Sequence, residues 1–193
     1  FKELAFGTGG LRGKLGAGTN RMNVCTLGRA THGLADYLLS GTNRSAVIAY
    51  DTRHMSKEFA ALAARILAAK GIKVYLFDRE MPTPVLSFAV RQLQAGAGIV
   101  ITASHNPKEY NGYKVYNAKG CQITDEAAAE ITGCIEKHGY FEEPGEGGTV
   151  LTIGTEMLEK FLDAVQAYAL PCNGAFYPSV VYTPLNGTGL RPV

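Results

Sequence analysis

The sequence predicts an α/β fold with a mixed, mostly parallel sheet and helices on both faces. A strand–helix–strand unit of about thirty residues, at 46–77, favours two parallel strands joined by a right-handed crossover. A strand at 113–117 follows the strand at 99–102 after a loop too short for a helical crossover, so this pair is predicted to be antiparallel. The 46% hydrophobic content and the 23 glycines also suit a loop-rich α/β protein.

The first half of the chain shows a clear order of elements. The first twenty residues are rich in glycine and show no strand pattern. Helical spacing of apolar residues predicts a helix at 23–39, and a short apolar strand is predicted at 46–50. Ser56 is expected to cap a helix that runs to about Lys70, and Gly71 is expected to end it.

The rest of the chain continues the alternation with a strand at 72–77. A helix is favoured from 82 to about 93, because Pro84 suits a first helical turn. Amphipathic spacing with an acidic start and a basic end predicts a helix at 125–138. The remaining predicted elements are a surface excursion at 142–149, a helix at 156–169 and a strand at 180–183.

Composition excludes several classes of function. The 19 basic and 17 acidic residues leave a net charge of +2, too small to indicate nucleic acid or an anionic membrane as a partner. No apolar run approaches the roughly 20 residues of a membrane span, and no signal peptide pattern opens the sequence. The cysteines form no C-x-x-C pair, which favours reduced thiols in a cytoplasmic protein over a metal or redox site. They are Cys25, Cys121, Cys134 and Cys172.

A polar tripeptide follows the strand at 99–102, where Ser104, His105 and Asn106 precede Pro107. The residue before a proline is pushed out of the helical region, so a loop is predicted here. Ligands of open α/β sheets gather outside the carboxyl ends of the strands, which favours chemistry at this loop. An ordinary polar turn is the alternative interpretation.

A serine hydrolase is a further alternative, and two features weigh against it. Adjacent side chains on an extended chain point to opposite sides, so His105 is not expected to act as a base for Ser104. The nucleophile-elbow pattern G-x-S-x-G is also absent from this stretch.

The glycine-rich start contains the run Gly7-Thr8-Gly9-Gly10. A dinucleotide-binding turn is not favoured, because Arg12 stands where the third glycine of that pattern should be and no strand precedes it. Glycine backbone N–H groups and a guanidinium can instead bind a phosphate together. A flexible entry segment is the alternative.

Three motifs resemble those of one enzyme family. Residues 102–107, with 111–114, resemble the phosphoserine loop of the α-D-phosphohexomutases, the phosphoglucomutase/phosphomannomutase family. Residues 6–13 are similar to its N-terminal signature, and residues 50–53 are similar to its next motif. The resemblance implies the fold of that family's first domain. It also implies an enzyme that interconverts hexose 1-phosphate and hexose 6-phosphate, of glucose and/or mannose, through a phosphoserine and a bisphosphate intermediate.

The resemblance assigns roles to four residues. Ser104 matches the phosphoserine, and Arg12 matches an arginine of the site. His105 and Lys114 match positions that contact the substrate or take part in proton transfer. The neighbours of Lys114 in its short strand indicate partial desolvation, which lowers the pKa of a lysine toward a useful acid–base range. A turn histidine and a solvent-facing strand lysine are the alternatives.

A second group of residues are candidates for substrate or phosphate binding: Thr8, Gly9, Asp51, Arg53 and Asn106. For Asp51 and Arg53, a structural ion pair beside the loop is an equally open interpretation. Asn106 is also open to a loop-shaping role. Serine is a weak nucleophile, so transfer at Ser104 is expected to depend on positioning and charge neutralisation.

The resemblance further implies Mg²⁺, with a phosphoserine oxygen of Ser104 as the ligand from this chain, and a hexose 1,6-bisphosphate activator. The family's aspartate-rich metal loop does not occur in this sequence. We therefore expect the chain alone to bind Mg²⁺ weakly and to lack mutase activity. The expected partners are small-molecule hexose phosphates and the missing domains of its own chain.

We expect three parts in the chain: a phosphoserine-bearing N-terminal domain at 1–150, a connecting helix at 151–175 and a truncated start of a second domain at 176–193. The alternative function is a non-catalytic sugar-phosphate-binding module of the same fold. A downstream aspartate-rich loop would favour the enzyme over the binding module.

Overall fold

The computed structural model describes residues 3–170, 174 and 179–193, in which a six-stranded sheet lies between two layers of helices. The strands are β1 (Leu11–Lys14), β2 (Ser45–Tyr50), β3 (Lys73–Phe77), β4 (Ala97–Ile101), β5 (Tyr110–Asn117) and β6 (Val150–Ile153). The helices are α1 (Val24–Ser40), α2 (Ser56–Ala69), α3 (Thr83–Gln92), α4 (Asp125–Ile135) and α5 (Thr155–Gln166).

The strands are ordered β1-β5-β4-β2-β3-β6 across the sheet. Strand β2 pairs in parallel with β3 and β4, and β3 pairs in parallel with β6. Strand β5 is antiparallel to both β4 and β1. The predicted mixed, mostly parallel sheet is therefore confirmed, together with the parallel pair β2–β3 and the antiparallel pair β4–β5.

Helices cover both faces of the sheet, and side chains alternate between the two faces along each strand. On β2, Ile48 packs in a core with α1, α2 and α4. Its neighbour Val47 packs on the other face with α3 and α5. Every residue of β4 is buried, as expected for a central strand of a sheet that is covered on both sides.

The start of α2 differs from the prediction. Met55, with φ of 65°, is the N-cap residue, and Ser56 is the first residue of the helix. The hydroxyl of Ser56 instead donates to Asp51 Oδ1 at 2.7 Å, because the loop after β2 brings that carboxylate over the helix. The predicted end is confirmed, since Gly71 follows the C-cap Lys70 with φ of 82°.

The two edge strands are not apparent from the sequence, and one predicted strand is wrong. Strand β1 is short and alternately exposed, and its pairing with β5 defines it. Strand β6 is largely exposed and pairs with the edge of β3. Residues 180–183 form no strand, although they are described by the structure. Helix α4 ends at Ile135, three residues before the predicted end.

The sheet continues past residue 150, because β6 is one of its strands. Helix α5 packs on α3, where the rings of Phe161 and Phe88 meet edge to face at 5.6 Å. The predicted domain boundaries remain predictions. Cys172 and the positions 171–173 and 175–178 lie outside the described residues. None of the helices described here is both long and apolar enough to cross a membrane.

Candidate functional site

A cleft of about 990 Å³ opens at the carboxyl ends of the parallel strands. Its walls come from the loops that follow β2, β3 and β4, and from residues 184–192. Five of the predicted site residues line it together: Asp51, Arg53, Ser104, His105 and Asn106. Four others are not among the lining residues: Thr8, Gly9, Arg12 and Lys114.

Ser104 is exposed in a tight turn after β4 and has φ of 56°. This left-handed conformation is uncommon for a residue other than glycine. Asn106 closes the turn, because its backbone N–H and its side-chain amide both donate to the carbonyl oxygen of Ala103, at 3.1 and 2.8 Å. The geometry of Asn106 supports the loop-shaping interpretation.

The relation between Ser104 and His105 corrects the prediction from the sequence. The Oγ atom of Ser104 lies 3.3 Å from Nδ1 of His105. On an extended backbone the two side chains would diverge, but Ser104 has the left-handed conformation, which brings them together. The hydroxyl and the imidazole are therefore within hydrogen-bond distance of each other.

Arg53 binds the backbone of the loop at 103–110, which carries Ser104 and is called the serine loop below. Its guanidinium group donates four hydrogen bonds of 2.6 to 3.1 Å to loop carbonyl oxygens. These oxygens belong to Ser104, Asn106, Pro107 and Tyr110. A planar guanidinium with five N–H groups suits such a convergent set of acceptors, which a lysine ammonium cannot match.

Asp51 is the counter-charge of Arg53, and both of its carboxylate oxygens accept hydrogen bonds from neighbouring groups. Oδ1 accepts from the backbone N–H of Arg53 at 3.0 Å and from the hydroxyl of Ser56 at 2.7 Å. Oδ2 accepts from the hydroxyl of Thr102 at 2.6 Å and lies 3.3 Å from Nε of Arg53. The ion pair between Asp51 and Arg53, one of the two interpretations of the sequence, is therefore present. These contacts hold the loop after β4 in place.

Thr102 is a site residue that the sequence analysis missed. Its hydroxyl donates to Asp51 and accepts from the backbone N–H of Ser104 at 2.9 Å. It therefore connects the half-buried carboxylate of Asp51 to the backbone of the candidate nucleophile. A hydroxyl residue two positions before the serine can form such a local turn, and that spacing was the available signal.

Lys114 lies on β5, one strand away from the serine loop. It is paired with Val100, and Arg12 is paired with Gly112, so both cationic side chains lie on the same face of the sheet. Burial lowers the pKa of Lys114, and the charge of Arg12 lowers it further, while Asp51 opposes the shift. The predicted direction of this shift is confirmed.

The glycine turn lies against β5 beside Lys114. Gly7 and Gly10 exchange two backbone hydrogen bonds, of 2.7 and 3.2 Å, which leaves Thr8 and Gly9 exposed at the tip of the turn. Gly10 has φ of 72°, and a Cβ there would lie 1.8 Å from the carbonyl oxygen of Tyr113. Only glycine allows the turn to approach the strand this closely.

A family model described as "Phosphoglucomutase/phosphomannomutase, alpha/beta/alpha domain I" matches residues 3–141. Phosphoglucomutase of Staphylococcus epidermidis is 43% identical to the chain over 197 residues, and that of Staphylococcus haemolyticus is 46% identical over 200. Both alignments cover 97% of this chain but 36% of the relative. The chain thus spans about a third of the length of these relatives.

Solved structures show the same fold. A putative phosphomannomutase from Thermus thermophilus superposes with a TM-score of 0.77 and 34% identity, over 86% of this chain and 36% of the other. A phosphoglucomutase/phosphomannomutase family protein from Burkholderia thailandensis gives 0.66 at 21% identity, over 84% and 35%. At that identity the second comparison supports the fold alone.

Proposed function

The chain belongs to the phosphoglucomutase/phosphomannomutase family, and from that premise we propose that it is the phosphoserine-bearing domain of a phosphohexomutase. The enzyme would interconvert hexose 1-phosphate and hexose 6-phosphate, of glucose or mannose, through a bisphosphate intermediate. The Ser104 loop is the observation that carries the proposal. An exposed serine is held in a left-handed turn, beside an imidazole, at the mouth of the cleft.

In the proposed reaction, Ser104 Oγ attacks a phosphoryl group of the sugar bisphosphate. A bond forms between Oγ and phosphorus, and the bond between phosphorus and the sugar oxygen breaks. The serine proton moves to Nδ1 of His105, which lies 3.3 Å away. The leaving sugar oxygen takes a proton from Lys114. In the return step a hydroxyl at the other end of the sugar attacks the phosphoserine and gives its proton to Lys114, while Ser104 Oγ leaves phosphorus and takes its proton back from His105. Most of the catalysis comes from positioning and from neutralisation of charge.

Lys114 and Arg12 provide positive charge on the face next to the loop. The lowered pKa of Lys114 lets it donate and accept a proton more readily near neutral pH than an ordinary lysine. The exposed backbone of Thr8 and Gly9 lies beside it and is available to a phosphate. We assign these four residues to phosphate binding and proton transfer on the substrate.

Mg²⁺ supplies charge neutralisation on transferring phosphoryl oxygens when it is bound. The described residues do not form a Mg²⁺ site by themselves, because both oxygens of Asp51 already accept hydrogen bonds from the protein. Ser104, once phosphorylated, would contribute one of the about six oxygen ligands that the ion prefers. We therefore assign that single ligand to this chain, and no step of the reaction to the ion.

The relatives are about three times as long as the segment they share with this chain. We propose that further domains of the same protein pack against this one and supply sugar recognition and the other metal ligands. A hexose 1,6-bisphosphate is the proposed activator, because it can phosphorylate Ser104 directly. A cytoplasmic location, where sugar phosphates and reduced thiols occur, belongs to the same proposal.

The proposal is tested by incubating the full-length protein with glucose 1,6-bisphosphate and Mg²⁺ and mapping phosphate by peptide mass spectrometry. One phosphate per chain on Ser104 is expected. It should disappear in Ser104→Ala and persist in Ser40→Ala, which changes another exposed serine. Absence of phosphate from a folded protein that still binds sugar phosphate would favour the non-catalytic binding module.

A further inference from the structure

A second group of ionisable side chains lies away from the cleft, between α1 and the segment that follows α4. His32, on α1, is 4% exposed. Neither of its ring nitrogens has a hydrogen-bond partner within residues 3–170, 174 and 179–193. A buried polar atom normally has a partner, so an imidazole without one indicates a ligand that completes it.

Two further side chains converge on this imidazole. Oε2 of Glu142 lies 3.9 Å from Nδ1 of His32 and 2.8 Å from Nδ1 of His138. The two imidazole rings stack with their centroids 5.4 Å apart. One ligand atom from each of the three residues can be chosen so that all three atoms lie within 4.8 Å of one another.

The neighbouring groups hold these side chains in position. The carboxylate of Asp36 lies behind His138, with Oδ2 2.7 Å from Nε2, while Nδ1 of the same ring faces Glu142. The other carboxylate oxygen of Glu142 accepts from the backbone N–H of Gly139 at 2.9 Å. Arg29 donates to the carbonyl oxygen of His138 at 2.9 Å.

We propose that His32, His138 and Glu142 bind a first-row divalent metal ion, with Zn²⁺ as the best fit, and that Asp36 orients His138 from behind. Two imidazoles and one carboxylate are a donor set typical of Zn²⁺, with bonds of about 2.0–2.2 Å and water in the fourth position. A carboxylate behind a ligating histidine is the usual supporting contact. In the proposed site, the ion would lie between the three ligand atoms and replace the direct contact between His138 and Glu142.

Charge and access are compatible with a cation here. Among the described residues, no hydrogen-bond partner occupies either ring nitrogen of His32. The ammonium of Lys70 is paired with Asp36 at 2.9 Å. Glu142 is partly exposed and lines a surface groove of about 570 Å³, so one side of the cluster faces solvent.

The site would fix residues 138–142 to α1, a structural role separate from the cleft. The test is titration of chelator-treated protein with Zn²⁺ in a large excess of Mg²⁺, which occupies oxygen-only sites. We expect one Zn²⁺ per chain, with binding at least tenfold weaker in Glu142→Gln and in His138→Gln. The matched control Glu143→Gln, at an exposed neighbouring glutamate, should bind like the unaltered protein. Circular dichroism checks that each variant is folded.

Co²⁺ gives a second readout that does not depend on the variants. We expect visible absorption from a low-coordinate nitrogen and oxygen site, without the near-ultraviolet bands of a thiolate ligand, and loss of the signal on acidification as protons compete for the imidazoles. Three results overturn the proposal: no stoichiometric Zn²⁺, equal affinity in Glu142→Gln and the unaltered protein, or a thiolate spectrum.

Discussion

The hydroxyl of Thr102 donates a 2.6 Å hydrogen bond to the carboxylate of Asp51, which joins the ends of two neighbouring parallel strands. Because the same hydroxyl accepts from the backbone N–H of Ser104, the position of the serine depends on both strands. The contact lies just below the exposed turn that carries the proposed nucleophile.

Replacing Thr102 by valine keeps the shape of the side chain and removes this connection. Loss of the hydroxyl leaves a half-buried carboxylate oxygen and the N–H of Ser104 short of a partner, so we expect a loss of stability of about 1 kcal/mol. Phosphorylation of Ser104 should slow as well. Urea unfolding and phosphopeptide analysis measure the two effects. Thr19→Val, at an exposed position, is the control and should change neither.

Because the backbone of Ser104 is left-handed, two variants that both lack the hydroxyl should differ in stability. Both Ser104→Gly and Ser104→Ala lack the hydroxyl and should not be phosphorylated. Glycine adopts this conformation without strain, whereas alanine does not, so the glycine variant should be more stable by about 1 kcal/mol. Equal unfolding free energies in urea would mean that the turn is not held left-handed in solution.

Arg53→Lys should loosen the serine loop although it keeps the charge. A single ammonium group cannot make the four carbonyl contacts of the guanidinium. We expect faster hydrogen exchange at residues 103–110 and at least tenfold slower phosphorylation of Ser104. Arg65→Lys changes an exposed arginine on α2 and should leave both measurements unaltered.

The lowered pKa of Lys114 predicts a pH dependence of stability. The folded chain holds this proton less tightly than the unfolded chain does, so stability rises with pH between the folded and unfolded pKa values. Lys114→Met should therefore be more stable than the unaltered protein at neutral pH, and the difference should shrink as pH rises through that window. Thermal unfolding over a pH series gives the result, and a pH-independent difference contradicts it.

Arg12→Gln should raise the pKa of Lys114, because the neighbouring positive charge is one of the causes of its lowered value. NMR titration of the lysine side-chain carbons measures the shift directly. Lys119, which is exposed, serves as an internal reference in the same spectra. If the titration of Lys114 is the same in both proteins, the two side chains are not electrostatically coupled.

The glycine turn offers a matched pair of substitutions. Gly10→Ala would place a methyl group against the carbonyl oxygen of Tyr113 on a backbone with positive φ, so we expect a loss of roughly 1–3 kcal/mol or more. Gly9→Ala meets nothing within 4 Å and should stay within about 0.5 kcal/mol of the unaltered protein. Urea unfolding of both variants makes the comparison.

Local sequence patterns predicted the helices and strands whose apolar spacing and end residues lie within the element itself. The unit from β2 to β3 could be predicted because its apolar periodicity and its glycine stop lie within the elements themselves. Strand β1 could not, because a four-residue segment with a central glycine becomes a strand only by pairing with β5, about a hundred residues later.

Some features of the candidate site could likewise be predicted from local sequence, and others could not. The position of Ser104 after a buried strand was visible in the sequence, but its proximity to His105 was not, because the local pattern does not show that Ser104 has positive φ. The cluster around His32 gave no signal, since His32 lies about a hundred residues before His138 and Glu142. Distant pairing, rather than local pattern, decides these features.

The four contacts from Arg53 to the serine loop also determine when the loop can form during folding. Arg53 follows β2 and Ser104 follows β4, so the loop can take this shape only after the two strands have paired. A nascent or misfolded chain carries an ordinary flexible serine at the same position. The proposed reactivity of Ser104 would therefore arise only in the folded chain, and a phosphate on that residue would mark chains that have completed folding.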